Sequence, residues 1–174
     1  GISPSDTQYT DTQHKRQGDR IATLPFLSRS KSIRMPMNTA TPNASDIFAA
    51  LAGNWSLVRD LGNAGQFTGE VTFHAADPDK PNVLRYREEG FLTRTDGKRF
   101  DGYREYDFVL HEDPAAIELL FRDPLSFGNR YVMLHFGEDA TDGLCARDIH
   151  PCGEDFYHHC MIWQNDDHFE TKIK

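Results

Sequence analysis

The sequence predicts an all-β domain, an antiparallel meander led by one short helix, on three observations. About nine short runs of β-like composition follow one another from Trp55 onward. Turn chemistry separates them: Gly62-Asn63-Ala64-Gly65, Asp77-Pro78-Asp79-Lys80-Pro81-Asn82 and Asp96-Gly97. No helical pattern is long enough for the crossovers that parallel strands require. Many short strands at even spacing fit either a closed barrel or a sandwich.

Residues 1–44 read as a flexible tail. They are rich in Ser, Thr, Gln and Asp, and Pro4, Pro25 and Pro36 interrupt any long helix. Residues 24–31 are basic, rich in Ser and free of acid, a composition that also suits a transit peptide. A third reading makes Met35 or Met37 the natural start. The domain is expected over residues 45–174. Ser45 or Asp46 caps a helix over Ile47-Phe48-Ala49-Ala50-Leu51, and Gly53 ends it.

The first run covers residues 55–61. The second, 67–74, places Phe67, Gly69, Val71 and Phe73 on one face. The third, 83–95, alternates Leu84, Tyr86, Glu88, Gly90 and Leu92 against Arg85, Arg87, Glu89 and Phe91. Asp96-Gly97 is a hairpin signal and returns the chain through 100–110. Later runs are 116–121, 130–136, 143–149, 156–163 and 168–173.

Composition narrows the class. Of the 174 residues 38% are hydrophobic, enough for one core, and no apolar run nears the ~18–20 residues that span a bilayer. Residues 1–41 hold six basic and three acidic residues; 42–174 hold thirteen and twenty-four, a formal charge of −11. A body this acidic repels a phosphate backbone, which disfavours nucleic acid as a partner. Cys145, Cys152 and Cys160 are odd in number and clustered late, unlike a secreted disulfide framework. Free thiols in a reducing compartment follow, the cytoplasm first and the mitochondrion as the minor alternative.

The entry Gly53-Asn54-Trp55 behind a short helix resembles that of calycin-type barrels such as lipocalins. The glycine permits the tight turn and the indole closes the barrel end. The wider pattern is Leu51-x-Gly53-x-Trp55 with Arg59, Gly65-x-Phe67-x-Gly69-x-x-x-Phe73, and Leu84-x-Tyr86-x-Glu88-x-Gly90. Tyr106-x-Phe108 and His150-x-Cys152-x-x-Asp155-x-Tyr157 complete it. In order and spacing these resemble the family known as domain of unknown function 6314. The resemblance implies a calycin-like β-barrel and no activity. It also implies a further closing strand after Ile173; without it, the first strand would carry an open edge.

The densest chemistry lies in residues 150–160, with His150, His158, His159, Cys152 and Cys160 beside Glu154, Asp155 and Tyr157. Their spacing lacks the paired Cys and His elements of zinc sites, so no metal is assigned. A structural role is concrete: His150 bonding Asp155 across the turn, with Cys152 filling a small gap. In a strand starting at 156, Tyr157 and His159 share one face.

A barrel interior can hold one small ligand. Its candidate contacts are Arg59, Phe67, Tyr86, Glu88, Tyr106, Tyr157 and His159, with Phe73 and Phe108 completing the wall. Glu88, a carboxylate on an aromatic face, needs a partner or a shifted pKa. Arg59 and His150 are the partners at hand. The preferred expectation is a domain that binds a small, partly apolar molecule, with Glu88, Arg59 and Tyr157 as polar contacts. The alternative is an enzyme using the same cavity, with His150 and Asp155 or Glu88 as acid and base. A third is a structural or interaction domain filled by its own side chains. No motif names a cofactor; a haem would take His159 as its axial ligand.

Overall fold

The computed structural model describes the backbone of residues 25–29, and residues 42–137, 144–165 and 167–173. Asn43, rather than Ser45 or Asp46, caps the helix α1 (Ala44–Leu51). Its side chain accepts from the N–H groups of Ser45 at 2.9 Å and Asp46 at 3.1 Å, and the Asp46 carboxylate accepts from the Asn43 N–H. This reciprocal box satisfies donors that the first helical turn leaves over. Ala44, Ile47, Phe48 and Leu51 are buried, which turns one stripe of the helix onto the core.

All strands belong to one antiparallel sheet. They are β1 (Pro25–Arg29), β2 (Gly53–Asp60), β3 (Gln66–Ala75), β4 (Val83–Thr93) and β5 (Arg99–Glu112). Then come β6 (Ala115–Phe121), β7 (Arg130–Leu134), β8 (Phe136–Gly137), β9 (Leu144–Cys152), β10 (Asp155–Asn165) and β11 (His168–Ile173). The order across the sheet is β7-β6-β5-β4-β3-β2-β1-β11-β10-β9-β8. The expected run over 130–136 divides into β7 and β8.

Strand β1 is a correction to the sequence reading. It lies inside the segment read as tail, yet it pairs with β2 from Pro25↔Arg59 to Arg29↔Trp55 and with β11 through Phe26↔Glu170. The edge of β2, expected to stand open, is therefore covered. The rest of residues 1–41, with the proposed starts and the transit-like residues outside β1, falls outside the described residues.

The core gathers under the helix. The Trp55 indole N–H donates to the Leu51 carbonyl at 2.8 Å, tying the first residues of β2 to the end of α1. Its ring meets Phe169 edge-on at 5.0 Å and Trp163 at 6.2 Å, and Trp163 stacks on Phe169. The sheet curls until its two ends approach. The Met133 N–H of β7 donates to the Asp148 carboxylate of β9 at 2.6 Å, and His150 Nδ1 lies 2.9 Å from the Tyr131 carbonyl. Side chains make this join; among the described residues no backbone ladder links β7 to β9.

Where β3 crosses β4 the backbones approach too closely for side chains. A Cβ on Gly90 would sit 2.2 Å from the Thr68 carbonyl oxygen, and one on Gly69 equally close to that of Glu89. The two glycines are register partners, and Gly102 follows opposite Gly90 on β5. We expect Gly90→Ala to cost about 1–3 kcal/mol, the penalty of forcing atoms into filled space. Urea denaturation measures it, and an unchanged midpoint would show that the strands can part freely.

Candidate functional site

Alternation along β2, β4 and β5 turns Arg59, Tyr86, Glu88, Arg104, Tyr106 and Phe108 to the inside of the curl. They line a cavity of about 50 Å³ together with Phe73, Leu119, Tyr131, His159, Met161, Phe169, Thr171 and Ile173. At ~10–15 Å³ for one water-sized occupant, it has room for roughly four such atoms. That is well short of the ~300–1,000 Å³ clefts that take drug-sized molecules. A haem on His159 does not fit it.

Its electrostatic centre is Glu88, only 3% exposed. Arg59 grips both carboxylate oxygens, Nη1 to Oε1 at 2.8 Å and Nη2 to Oε2 at 2.7 Å. The Tyr86 hydroxyl donates to Oε2 as well. Burial by itself pushes the carboxyl pKa up. The charge and hydrogen bonds of Arg59 outweigh that, helped by the Arg104 charge and by Tyr86, and lower it to about 2. Burial, then the Glu88 charge, raise the Tyr86 phenol well above its ordinary value, so it stays a donor. The same pair joins β2 to β4 across β3, and the Arg59 guanidinium also lies 5.8 Å from the ring centre of buried Phe67.

Arg104 stands opposite Glu88 in the β4–β5 register. Glu88 is committed to Arg59, and Arg104 makes no ion pair among the described residues. Its side chain makes one hydrogen bond among the described residues, from Nη1 to the Tyr106 hydroxyl at 3.4 Å. Beyond it an aromatic row continues: Tyr106 stacks on Tyr131 at 5.6 Å, and Tyr131 meets His159 edge-on at 5.4 Å. His159 is 5% exposed, its Nδ1 lies 3.4 Å from the Tyr131 hydroxyl, and its Nε2 is buried without a hydrogen-bond partner among the described residues. Burial lowers its pKa to about 4, against a partial opposing pull from Asp148, so the ring is neutral near pH 7.

Five of the seven expected contacts thus meet at one cavity: Arg59, Tyr86, Glu88, Tyr106 and His159. Phe67 supports Arg59 from outside the lining. Tyr157 pairs in register with His150 and also lies outside it. The expected acid–base partners are not assembled. His150 spends Nδ1 on the Tyr131 carbonyl and packs edge-on against Phe121 and Tyr131. Asp155 is exposed at the β9–β10 hairpin and makes no hydrogen bond with His150. Glu88 is held ionised in its ion pair with Arg59. Among the described residues no three of His, Cys, Asp and Glu gather as metal ligands, and no helix is long and apolar enough to cross a membrane.

Arg104 and Tyr131 are among the lining residues that escaped the sequence reading. Arg104 shares the alternation of Tyr106 and Phe108, so that signal was present. Tyr131 had none: the β6–β7 ladder passes from Leu119↔Val132 to Leu120↔Arg130, and Tyr131 is the extra residue in the bulge. A bulge re-aims a side chain against the alternation. A larger hollow of about 390 Å³ outside the curl, at Gly69 and Gly90, is bordered by Arg87 and Glu89. Its arginine is already paired with Glu89 and Glu105.

Glu88→Gln should cost about 3–5 kcal/mol, because it strands the Arg59 charge inside the protein. Chemical denaturation at neutral pH checks this, and a loss below about 1 kcal/mol would place the pair effectively in solvent. The pH profile tests His159. In the unfolded chain it takes up a proton near 6.5, and in the folded protein only near 4. Between these values the unfolded state holds more protons, so stability falls with falling pH, by up to about 3 kcal/mol. The Glu88 contribution is lost lower, as pH drops from 4.5 towards 2. A His159→Leu variant should lack the upper part of this loss; an identical profile would refute the assignment.

Neither a curated protein nor a solved structure matches the chain. Residues 51–174, which include every side chain that lines the cavity, match the model of the Family of unknown function (DUF6314), and the chain belongs to that family.

Proposed function

We propose that the chain is a binding domain for a small, partly apolar molecule held inside a calycin-like barrel. The side-chain join between β7 and β9 supports a curl close to a barrel. The observation that carries the reading is the buried His159 Nε2, a polar atom without a partner on the wall of a cavity. An orphaned buried nitrogen costs on the order of 1–3 kcal/mol, and a bound group that pairs with it recovers that cost. Phe108, Leu119 and Met161 offer apolar wall, while Arg104 and His159 offer polar contact. Arg59 and Glu88 serve the site as a preset pair rather than as free contacts. The enzyme alternative draws less support, because His150 and Asp155 are not joined and Glu88 is engaged.

A second reading has its own observation. Phe156 and Ile149 are 65% and 50% exposed on the outer face of β9 and β10, a patch that suits an interaction domain with a filled interior.

Native mass spectrometry of the protein as purified, followed by a thermal-shift screen of small amphiphiles, separates the two. The binding reading expects a mass lost on denaturation, or a Tm that climbs with ligand concentration. Linkage gives about 2.7 kcal/mol of stabilisation at a hundredfold excess over Kd. A Leu119→Phe variant, which fills the cavity, should abolish the effect. A clean mass and a flat screen at millimolar concentrations would contradict binding and favour the interaction reading.

A further inference from the structure

The charges around the cavity do not cancel. Arg59 and Glu88 neutralise each other through two hydrogen bonds, and Tyr86 completes the carboxylate's shell. Arg104, half-buried on the same wall, adds a second guanidinium with no acid of its own among the described residues. One net positive charge is left facing a space of about 50 Å³. A partly desolvated cation gains from a matched anion, and a guanidinium fork matches a carboxylate best. His159 Nδ1 lies 3.4 Å from the Tyr131 hydroxyl; the tautomer in which Nδ1 accepts from that hydroxyl carries its proton on Nε2 and offers the cavity a donor. Both unmatched groups then ask for an acceptor of negative charge.

We propose that the cavity is a subsite for a small monocarboxylate, its head on Arg104 and His159 Nε2–H and its short alkyl part against Phe108, Leu119 and Met161. This rests on the cavity being a ligand site, and it names the ligand's class. Size sets the length: room for roughly four water-sized atoms suits a two- to three-carbon acid, or the head of a longer one entering from outside. Charge sets the rest. A phosphate, carrying about −1.5 to −2 near pH 7, would bring one unmatched negative charge into the site.

The test titrates the full chain with propionate, propionamide and inorganic phosphate, following the His159 ring signals by NMR and the Tm. Propionate is expected to move both, with propionamide and phosphate each about tenfold weaker. In Arg104→Gln the preference for propionate over propionamide should vanish while propionamide still binds with its wild-type affinity. A variant that keeps the full preference for propionate overturns the proposal. Should Arg104→Gln not fold at all, Arg104→Lys decides: keeping the charge without the fork, it should retain the preference at reduced strength. A lysine variant with wild-type affinity for both probes counts against Arg104 as the anchor. If propionamide binds as well as propionate, the anionic class falls and the ligand site stands. Preference for phosphate overturns the monocarboxylate assignment. If none of the three binds, the subsite falls; a positive amphiphile screen would still leave the broader binding reading in place.

Discussion

The buried pair of Arg59 and Glu88 is the constraint around which the interior is arranged. A carboxylate 3% exposed is tolerable only with full compensation, and Arg59 supplies it through both oxygens from two strands away. Every neighbouring group is defined by that commitment. Tyr86 must stay protonated to serve as a donor, and Arg104, opposite Glu88 in the ladder, makes no ion pair among the described residues. Apolar residues of matching volume could join the strands as firmly. What the pair adds is a fixed orientation for the guanidinium and the phenol at the cavity wall.

Backbone irregularities bring the rest of the site to that pair. The glycine contact of β3 with β4 allows the sheet to bend tightly, and bending carries β7 and β10 round to face β4 and β5. The bulge in β7 then releases Tyr131 from the alternation. Its ring stacks on Tyr106 and meets His159, linking strands distant in the sheet order. The hairpin between β4 and β5 makes a comparable adjustment. Arg94 and Lys98 close it, with Gly97 at φ +81°, so the loop is one residue longer than a two-residue turn at Asp96-Gly97. A two-residue turn would set Glu105 against Glu88 and bring two acids together; the longer loop sets Arg104 there.

Much of this was legible in the residues. Period-two alternation located the strands from β2 to β11 and chose the inner faces that carry Arg59, Tyr86, Glu88, Tyr106 and His159. The need of a carboxylate on an aromatic face for a partner pointed to Arg59. The misses have local causes. Asn43 caps the helix from two residues before the stretch read as domain. Strand β1 has too few residues to show a period and sits among polar, proline-broken sequence, so only the open edge of β2 could have called for it. Tyr131 depends on a bulge, which composition does not mark. The proximity of His150 to Asp155 along the chain suggested a bond, but the fold gives His150 to the Tyr131 carbonyl.

A guanidinium without an ion pair and an imidazole nitrogen without a hydrogen-bond partner among the described residues share one small cavity, and a high-resolution crystal structure of the protein as purified tests most directly what they are for. The account predicts ordered density in the cavity within hydrogen-bonding distance of Arg104 and His159 Nε2, with Arg59 still gripping Glu88. A cavity closed by repacked aromatic rings, with Arg104 turned outward to solvent, would contradict it.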